Sequence, residues 1–488
     1  MFNNAPKLIF CQEGICSLRK IDVAFPELFR NNIADLFILR KNNEPADKNL
    51  GFNDILAKHV LEGETDMSSQ NEPEKTGPEL RREREQRVMD VIALKPVDRV
   101  PVSCELGFFA AKYAGAPYSA AYYDFDTYLA AYRKTLKDFQ PDMAFTRPPT
   151  PGKALEYLDP KYMKWPGYSL GANTGFQAIE IESMKDDEYD LFMNSPADFL
   201  IRHRTARLYG GLEGLSMLPE LSNTNWIDPW AAQELAAIVI DPRFETVIEN
   251  LRKAGQEMKK FQPKLDEFNQ LMLEYGVPQL YQGGALPPYD VISHSARGMR
   301  GTMMDMYRRP GKLLELCDFL LEKTLEKPMP PPNEYGNLRI FITITRGSDD
   351  FISMKQFQTF YWPTFRKLVM TLIERGATPC IFLEGTFTSR LEYLLEFPKG
   401  KLCVRLDKTD IFKAKEILKD HICIEGNVPA SLLQVGTVDE VKDYCKKLID
   451  VVGKGGGYIL GPRSSTDEVK PENLKAMIEF TKDYGRYY

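Results

Sequence analysis

The last third of the chain alternates short apolar runs with helical patterns, and this alternation narrows the fold more than any other feature. The runs are Leu338–Thr345, Thr378–Leu383, Leu402–Leu406, Ile422–Ile424 and Gly457–Leu460. They give way at Arg346, Glu384, Asp407, Asn427 and Pro462-Arg463-Ser464. Strands separated by helices pair in parallel, because a parallel neighbour is reached only through a crossover. The expected class is α/β, a (β/α)8 barrel with an N-terminal extension. In such a barrel the carboxyl ends of the strands share one rim, and chemistry sits there. The rim is predicted to gather Arg346, Glu384 and Asp407 around a single cavity.

Composition sets the outer limits. The 488 residues are 43% hydrophobic and 27% charged, enough apolar material for a large core. With 63 basic and 69 acidic residues the formal net charge is −6, so the basic footprint of a nucleic-acid binder is not expected. No apolar run approaches the roughly 18 residues a membrane span needs. After Lys7 the apolar run Leu8–Cys11 stops at Gln12, too short for a secretory signal. The eight cysteines lack CxxC spacing and read as reduced thiols, so a cytoplasmic location is expected.

The chain divides at a polar stretch, Gly63 to Gly77, without apolar periodicity. Residues 1–78 read as an extension and linker, and 79–488 as the barrel. Residues 1–66 read either as a small appended segment or as the product of an early start codon with Met67 the true start; the segment after Met67 resembles an ordinary domain beginning, which favours the second. A helix is predicted over Glu79–Leu94, stopped by Pro96. Arg99–Leu106 and Met143–Phe145 are strand candidates, and residues 150–230 carry no clear pattern. Helical blocks come next at Ala231–Ile240, Pro242–Phe261, Leu265–Tyr275 and Gly311–Glu326, with a strand at Pro278–Tyr281.

Several rim residues could carry chemistry. Glu384 comes after an apolar strand and suits a general acid or base, or a metal ligand; a helix-start carboxylate is the plainer alternative. Arg346 could clamp an anion in two-pronged fashion, or pair locally with Asp349 or Asp350. His294 suits proton transfer near neutrality, and Arg297 beside it suits anion binding; both could equally be structural. Asp407 could face the cavity, whereas Asp410 reads as a helix N-cap. Turn chemistry accounts for Asn427 and Pro429. The run Gly453–Gly457 precedes its strand and is no phosphate loop. Cys380, Cys403 and His421 fall at strand starts, away from the rim, and give no closed metal site.

Several segments together resemble the uroporphyrinogen decarboxylase superfamily. They are Pro96–Val102, Gly426–Pro429, Gly436-Thr437, Gly456–Leu460, Pro471–Leu474 and Tyr484-Gly485. The resemblance implies a (β/α)8 barrel, and for the decarboxylases a homodimer. That superfamily includes decarboxylases of haem synthesis and methyltransferases that exchange methyl groups with corrinoid proteins or thiols. The decarboxylase's N-terminal arginine motif is replaced by Cys104-Glu105-Leu106-Gly107-Phe108, which makes Glu105 a substrate-binding candidate. Its late histidine is missing near Arg463 and Ser464. The positions that hold zinc in the thiol-methylating branch fall at Phe382, Glu384 and Arg463 or Ser464, of which Glu384 alone could ligate. The function the resemblance implies is methyl transfer or demethylation of a small substrate with cobalamin on a partner corrinoid protein. Glu384 and His294 are then the acids, and Arg346, Arg297, Asp407 and Glu105 hold the substrate. Decarboxylation of a polycarboxylate and a non-catalytic binding barrel are the alternatives.

Overall fold

The computed structural model describes residues 75–220 and 230–486. The proposed extension, Met67 and most of the linker lie outside the described residues.

The first described helix, Gly77–Ile92, starts at a capping box. The Thr76 hydroxyl and the Glu79 carboxylate satisfy each other's backbone amides. The helix buries Val88, Val91 and Ile92. It stops before Leu94, which takes a positive φ of 59°, earlier than Pro96 alone would require.

Ten strands lie among the described residues. β1 (Ser103–Glu105) and β2 (Met143–Phe145) pair in parallel. β3 (Met163–Lys164) and β4 (Gln177–Ala178) form a small antiparallel ribbon. The remaining six are β5 (Gly283–Ala285), β6 (Arg339–Ile344), β7 (Thr378–Leu383), β8 (Cys403–Leu406), β9 (Cys423–Glu425) and β10 (Tyr458–Ile459). They lie side by side in chain order, all parallel. Isolated parallel bridges join Val102 to Leu460 and Ala144 to Gln279, so residues flanking β10 and β5 reach the two-stranded sheet from either side. The mixed α/β class is as expected, and each strand predicted in the last third is present within about two residues at either end.

Strand faces divide the residues cleanly. Ile340, Ile342 and Ile344 are buried in one core with Leu368, Val369 and Leu372 of helix Trp362–Glu374. The alternate residues Phe341, Thr343 and Thr345 occupy the inner face, turned away from the helices. In register with them on β7 to β9 run Cys380, Phe382 and Glu384, then Cys403, Arg405 and Asp407, then Cys423, Glu425 and Asn427. At the amino ends the three cysteines meet Met143, Ile459 and the apolar side of helix Gly77–Ile92. That helix is anchored by Glu85, which accepts from both Arg339 terminal nitrogens at 2.7 and 2.9 Å. The cysteines are therefore core residues at the amino ends of the strands, and burial pushes the Cys380 thiol up.

Two helices predicted on either side of Pro263 are one, Pro242–Glu274. Proline removes only one hydrogen bond from the ladder. Flanking contacts hold the junction, with Phe261 against the Phe125 ring at 5.0 Å and Lys264 to Asp126 at 2.5 Å. The predicted strand Pro278–Tyr281 lies further on, at Gly283–Ala285.

Candidate active site

The carboxyl ends of β6, β7 and β8 bring Thr343, Thr345, Glu384 and Asp407 to one mouth. Both threonine hydroxyls lie near Glu384 Oε2, Thr345 at 3.0 Å and Thr343 at 3.4 Å. Glu384 is exposed, and among the described residues no cationic side chain forms an ion pair with it. Asp407 accepts from the Gly385 amide at 3.1 Å and from Arg463 Nε at 3.0 Å, tying β7, β8 and the segment after β10 together. Asn427 reaches back to the carbonyls of Asp407 and Thr409, both at 3.3 Å. Its place is the inner wall, which turn chemistry had not suggested. Asp410 caps its helix, accepting from the Phe412 and Lys413 amides, as predicted.

One tier deeper lies a charged group in which Glu105, already a candidate, is joined by two residues that sequence reasoning missed, Arg405 and Glu425. Arg405 donates to Glu105 at 2.7 Å. Glu425 stands beside it and accepts from the Ser103 hydroxyl at 2.7 Å. Arg405 and Glu425 are 7% and 3% exposed. Burial works against the Arg405 cation, yet Glu105 and Glu425 hold its pKa above the ordinary value. Burial raises the Glu425 pKa despite the pull of Arg405 and Ser103. The Arg405 guanidinium stands over the Phe382 ring at 4.9 Å. From there an aromatic row continues through Phe341 to Tyr281, with Phe145 6.2 Å from Phe341. The signal was present: in Cys403-Val404-Arg405-Leu406-Asp407 the arginine has the same strand parity as Asp407.

Arg346 sits at the rim but on the opposite parity from Thr345, so it leaves the Glu384 side. It donates to Glu180 at 2.9 Å, lies 3.5 Å from His294 Nδ1 and stands over Phe351 at 5.0 Å. Its own amide donates to buried Asp290 at 2.9 Å, which also accepts from the Tyr361 hydroxyl at 2.6 Å. Burial raises the Asp290 pKa to about 6 against these donors. Desolvation, then the Arg346 cation, lowers the His294 pKa to about 4. His294 is therefore neutral near pH 7 and poorly suited to the role of acid predicted for it. Arg297 is removed from the substrate-binding set. It is buried, with its donors committed to Asp305 at 2.6 Å, the Met184 carbonyl at 2.8 Å and Glu182.

Among the described residues no three His, Cys, Asp or Glu side chains assemble as metal ligands. Phe382 occupies one of the family's zinc positions and cannot ligate, so the donor set does not fit that zinc.

A cluster of polar and charged side chains at the carboxyl ends of parallel strands defines an enzyme-like α/β site. Residues 239–484, half of the chain, match the family described as uroporphyrinogen decarboxylase (URO-D), and the chain belongs to that family. Over 84 residues it is 34% identical to uroporphyrinogen decarboxylase of Chlorobium phaeobacteroides and 32% identical to that of Chlorobaculum parvum. These matches cover 16% of this chain and 23% of each relative, so the chain spans about a quarter of the length of the curated relatives it matches. A methyltransferase from Methanosarcina mazei superposes with a TM-score of 0.48 at 15% identity, over 82% of this chain and 98% of that one. The described residues contain no helix long and apolar enough to cross a membrane.

Proposed function

We propose that the chain is an enzyme of methyl transfer or demethylation, acting on a small substrate at the mouth containing Glu384. We read the two parallel sheets and their bridges as one closed ring of eight strands, a (β/α)8 barrel. The supporting observation is the pairing of most guanidiniums at and beneath the rim; among the described residues Arg147, two residues past Phe145 of β2, forms no ion pair and stands over the Phe108 and Phe176 rings. Arg405 is held by Glu105, Arg463 by Asp407 and Arg346 by Glu180. On the inner face, Glu105, Glu384, Asp407 and Glu425 outnumber Arg147, Arg405 and Arg463. A polycarboxylate such as uroporphyrinogen would meet a mouth where, Arg147 apart, the guanidiniums are already neutralised and where carboxylates are in surplus. A small methyl donor has no such conflict.

A reduced corrinoid on a partner protein would supply the methyl-accepting metal centre. This chain's part is to bind and orient the donor. The aromatic row gives the substrate an apolar face, and Glu384, held by Thr343 and Thr345, meets its reacting end. Asp407 with Arg463 fixes the wall beside Glu384. Asp290 and Tyr361 hold the backbone of the neighbouring loop.

The test is a side-by-side assay. Purified protein is given uroporphyrinogen, or a panel of methylated donors with a reduced corrinoid protein. Methyl transfer is expected, with activity falling by at least about tenfold in Glu384→Gln. Release of carbon dioxide from uroporphyrinogen, with no methyl transfer, would establish the decarboxylase reading instead.

A further inference from the structure

We propose that the methyl donor is a quaternary ammonium compound carrying an oxygen acceptor on a short arm. This rests on the methyl-transfer reading above and names its substrate class.

Three independent features converge. Glu384 is an exposed carboxylate whose bonding neighbours are the hydroxyls of Thr343 and Thr345. It thus offers negative charge to whatever enters. Directly beneath it on the same strand face is Phe382, two residues earlier and therefore about 7 Å down the strand. Phe382 opens the aromatic row to Phe341, Tyr281 and Phe145. Phe145 is 39% exposed and Gly284, in register with Phe341, is also exposed, so this tier opens to the mouth. A carboxylate above an aromatic face is chemistry that recognises a quaternary ammonium head placed between them. The Phe382 ring already holds a cation, the Arg405 guanidinium.

The third feature fixes the other end of the ligand. Arg405 is more than nine-tenths buried, and its Nε lacks a hydrogen-bond partner. A buried donor without an acceptor is costly, and an oxygen on the ligand would satisfy it. Glu105 and Glu425 offset the Arg405 charge, so the guanidinium does not repel a cation one tier above. Asp407 and Arg463 cancel each other at the side wall. The ligand's cation thus belongs between the Glu384 carboxylate and the Phe382 ring beneath it, and its oxygen toward Arg405.

The chemistry balances without a proton. The methyl carbon leaves nitrogen, the C–N electron pair stays on nitrogen, and a neutral tertiary amine departs. A reduced corrinoid on a partner protein would supply the electron pair that takes up the methyl carbon. Glu384 acts as a counter-ion that orients the head.

The test uses choline and its neutral isostere 3,3-dimethylbutan-1-ol, titrated calorimetrically into the full chain. Choline is expected to bind about tenfold more tightly. In Glu384→Gln the two affinities are expected to converge to within about twofold. No saturable choline binding, equal affinities in the native chain, or a preference that survives Glu384→Gln would overturn the inference. Methyl transfer from neutral donors alone would also overturn it and leave the proposed function standing. Choline binding as expected, with no methyl transfer from any donor, would overturn the proposed function and leave the onium site.

Discussion

Replacing Arg405 by Met tests whether the inner floor is a closed charge network. Arg405 is the guanidinium set between Glu105 and Glu425, and it is almost wholly buried. Methionine keeps much of the volume, so the loss is chiefly electrostatic. Removing one partner of a buried pair costs about 3–5 kcal/mol, because the remaining charge is left uncompensated. Here two carboxylates are left, and Glu425 is the more buried. Its pKa is raised in the folded state. A carboxyl raised on folding gives stability that is full below its unfolded pKa and is lost as pH rises through the folded value. Removing Arg405 pushes that folded value higher, so the penalty must grow with pH. Urea denaturation at pH 5 and pH 8 is the assay. We expect the larger loss at pH 8, with the difference growing by at most about 1.4 kcal/mol per pH unit for one added proton. The double variant Arg405→Met with Glu425→Leu should recover part of the loss, since it removes the stranded charge. A loss below about 1 kcal/mol, or one equal at both pH values, would refute the network.

Buried groups elsewhere give two more expected outcomes. Asp290 titrates near pH 6 in the fold, so it contributes stability that is complete below about pH 4 and gone above pH 6, worth about 3 kcal/mol across that window. Asp290→Asn should abolish that part of the pH dependence in thermal or urea melts. Arg297→Ala should cost about 3–5 kcal/mol by stranding Asp305, which is 1% exposed. At a temperature where the variant stays folded, its choline affinity should be unchanged; a selective loss of binding would return Arg297 to the site.

The parallel strands were legible because both strand faces are buried. A parallel strand shielded on each side reads as a continuous apolar run, as Leu338–Thr345 and Thr378–Leu383 do. The β5 region was harder. β5 is Gly283-Gly284-Ala285, a strand without side-chain bulk, held by its pairing with β6 rather than by its own propensity. The sequence signal therefore settled on the more apolar Pro278–Tyr281 just before it. Pro263 misled in the opposite direction, since tertiary contacts at Phe261 and Lys264 outweigh one missing hydrogen bond.

The site was legible in position and less so in direction. Ends of strands locate the rim, and Glu384 and Asp407 are both there. Which way a side chain leaves a strand depends on parity, and parity needs one fixed reference. Thr343 and Thr345 supply it: they point to Glu384, so Arg346 must point away, toward Glu180 and His294. The same rule places Arg405 beneath Asp407 and Glu425 beneath Asn427. The inner face therefore carries more carboxylates than guanidiniums. Arg346 and Arg297, the two cations first assigned to a substrate anion, lie off that face. The charge a substrate meets is thus set by strand parity rather than by the residues that happen to end the strands, and it favours a cationic ligand over an anionic one.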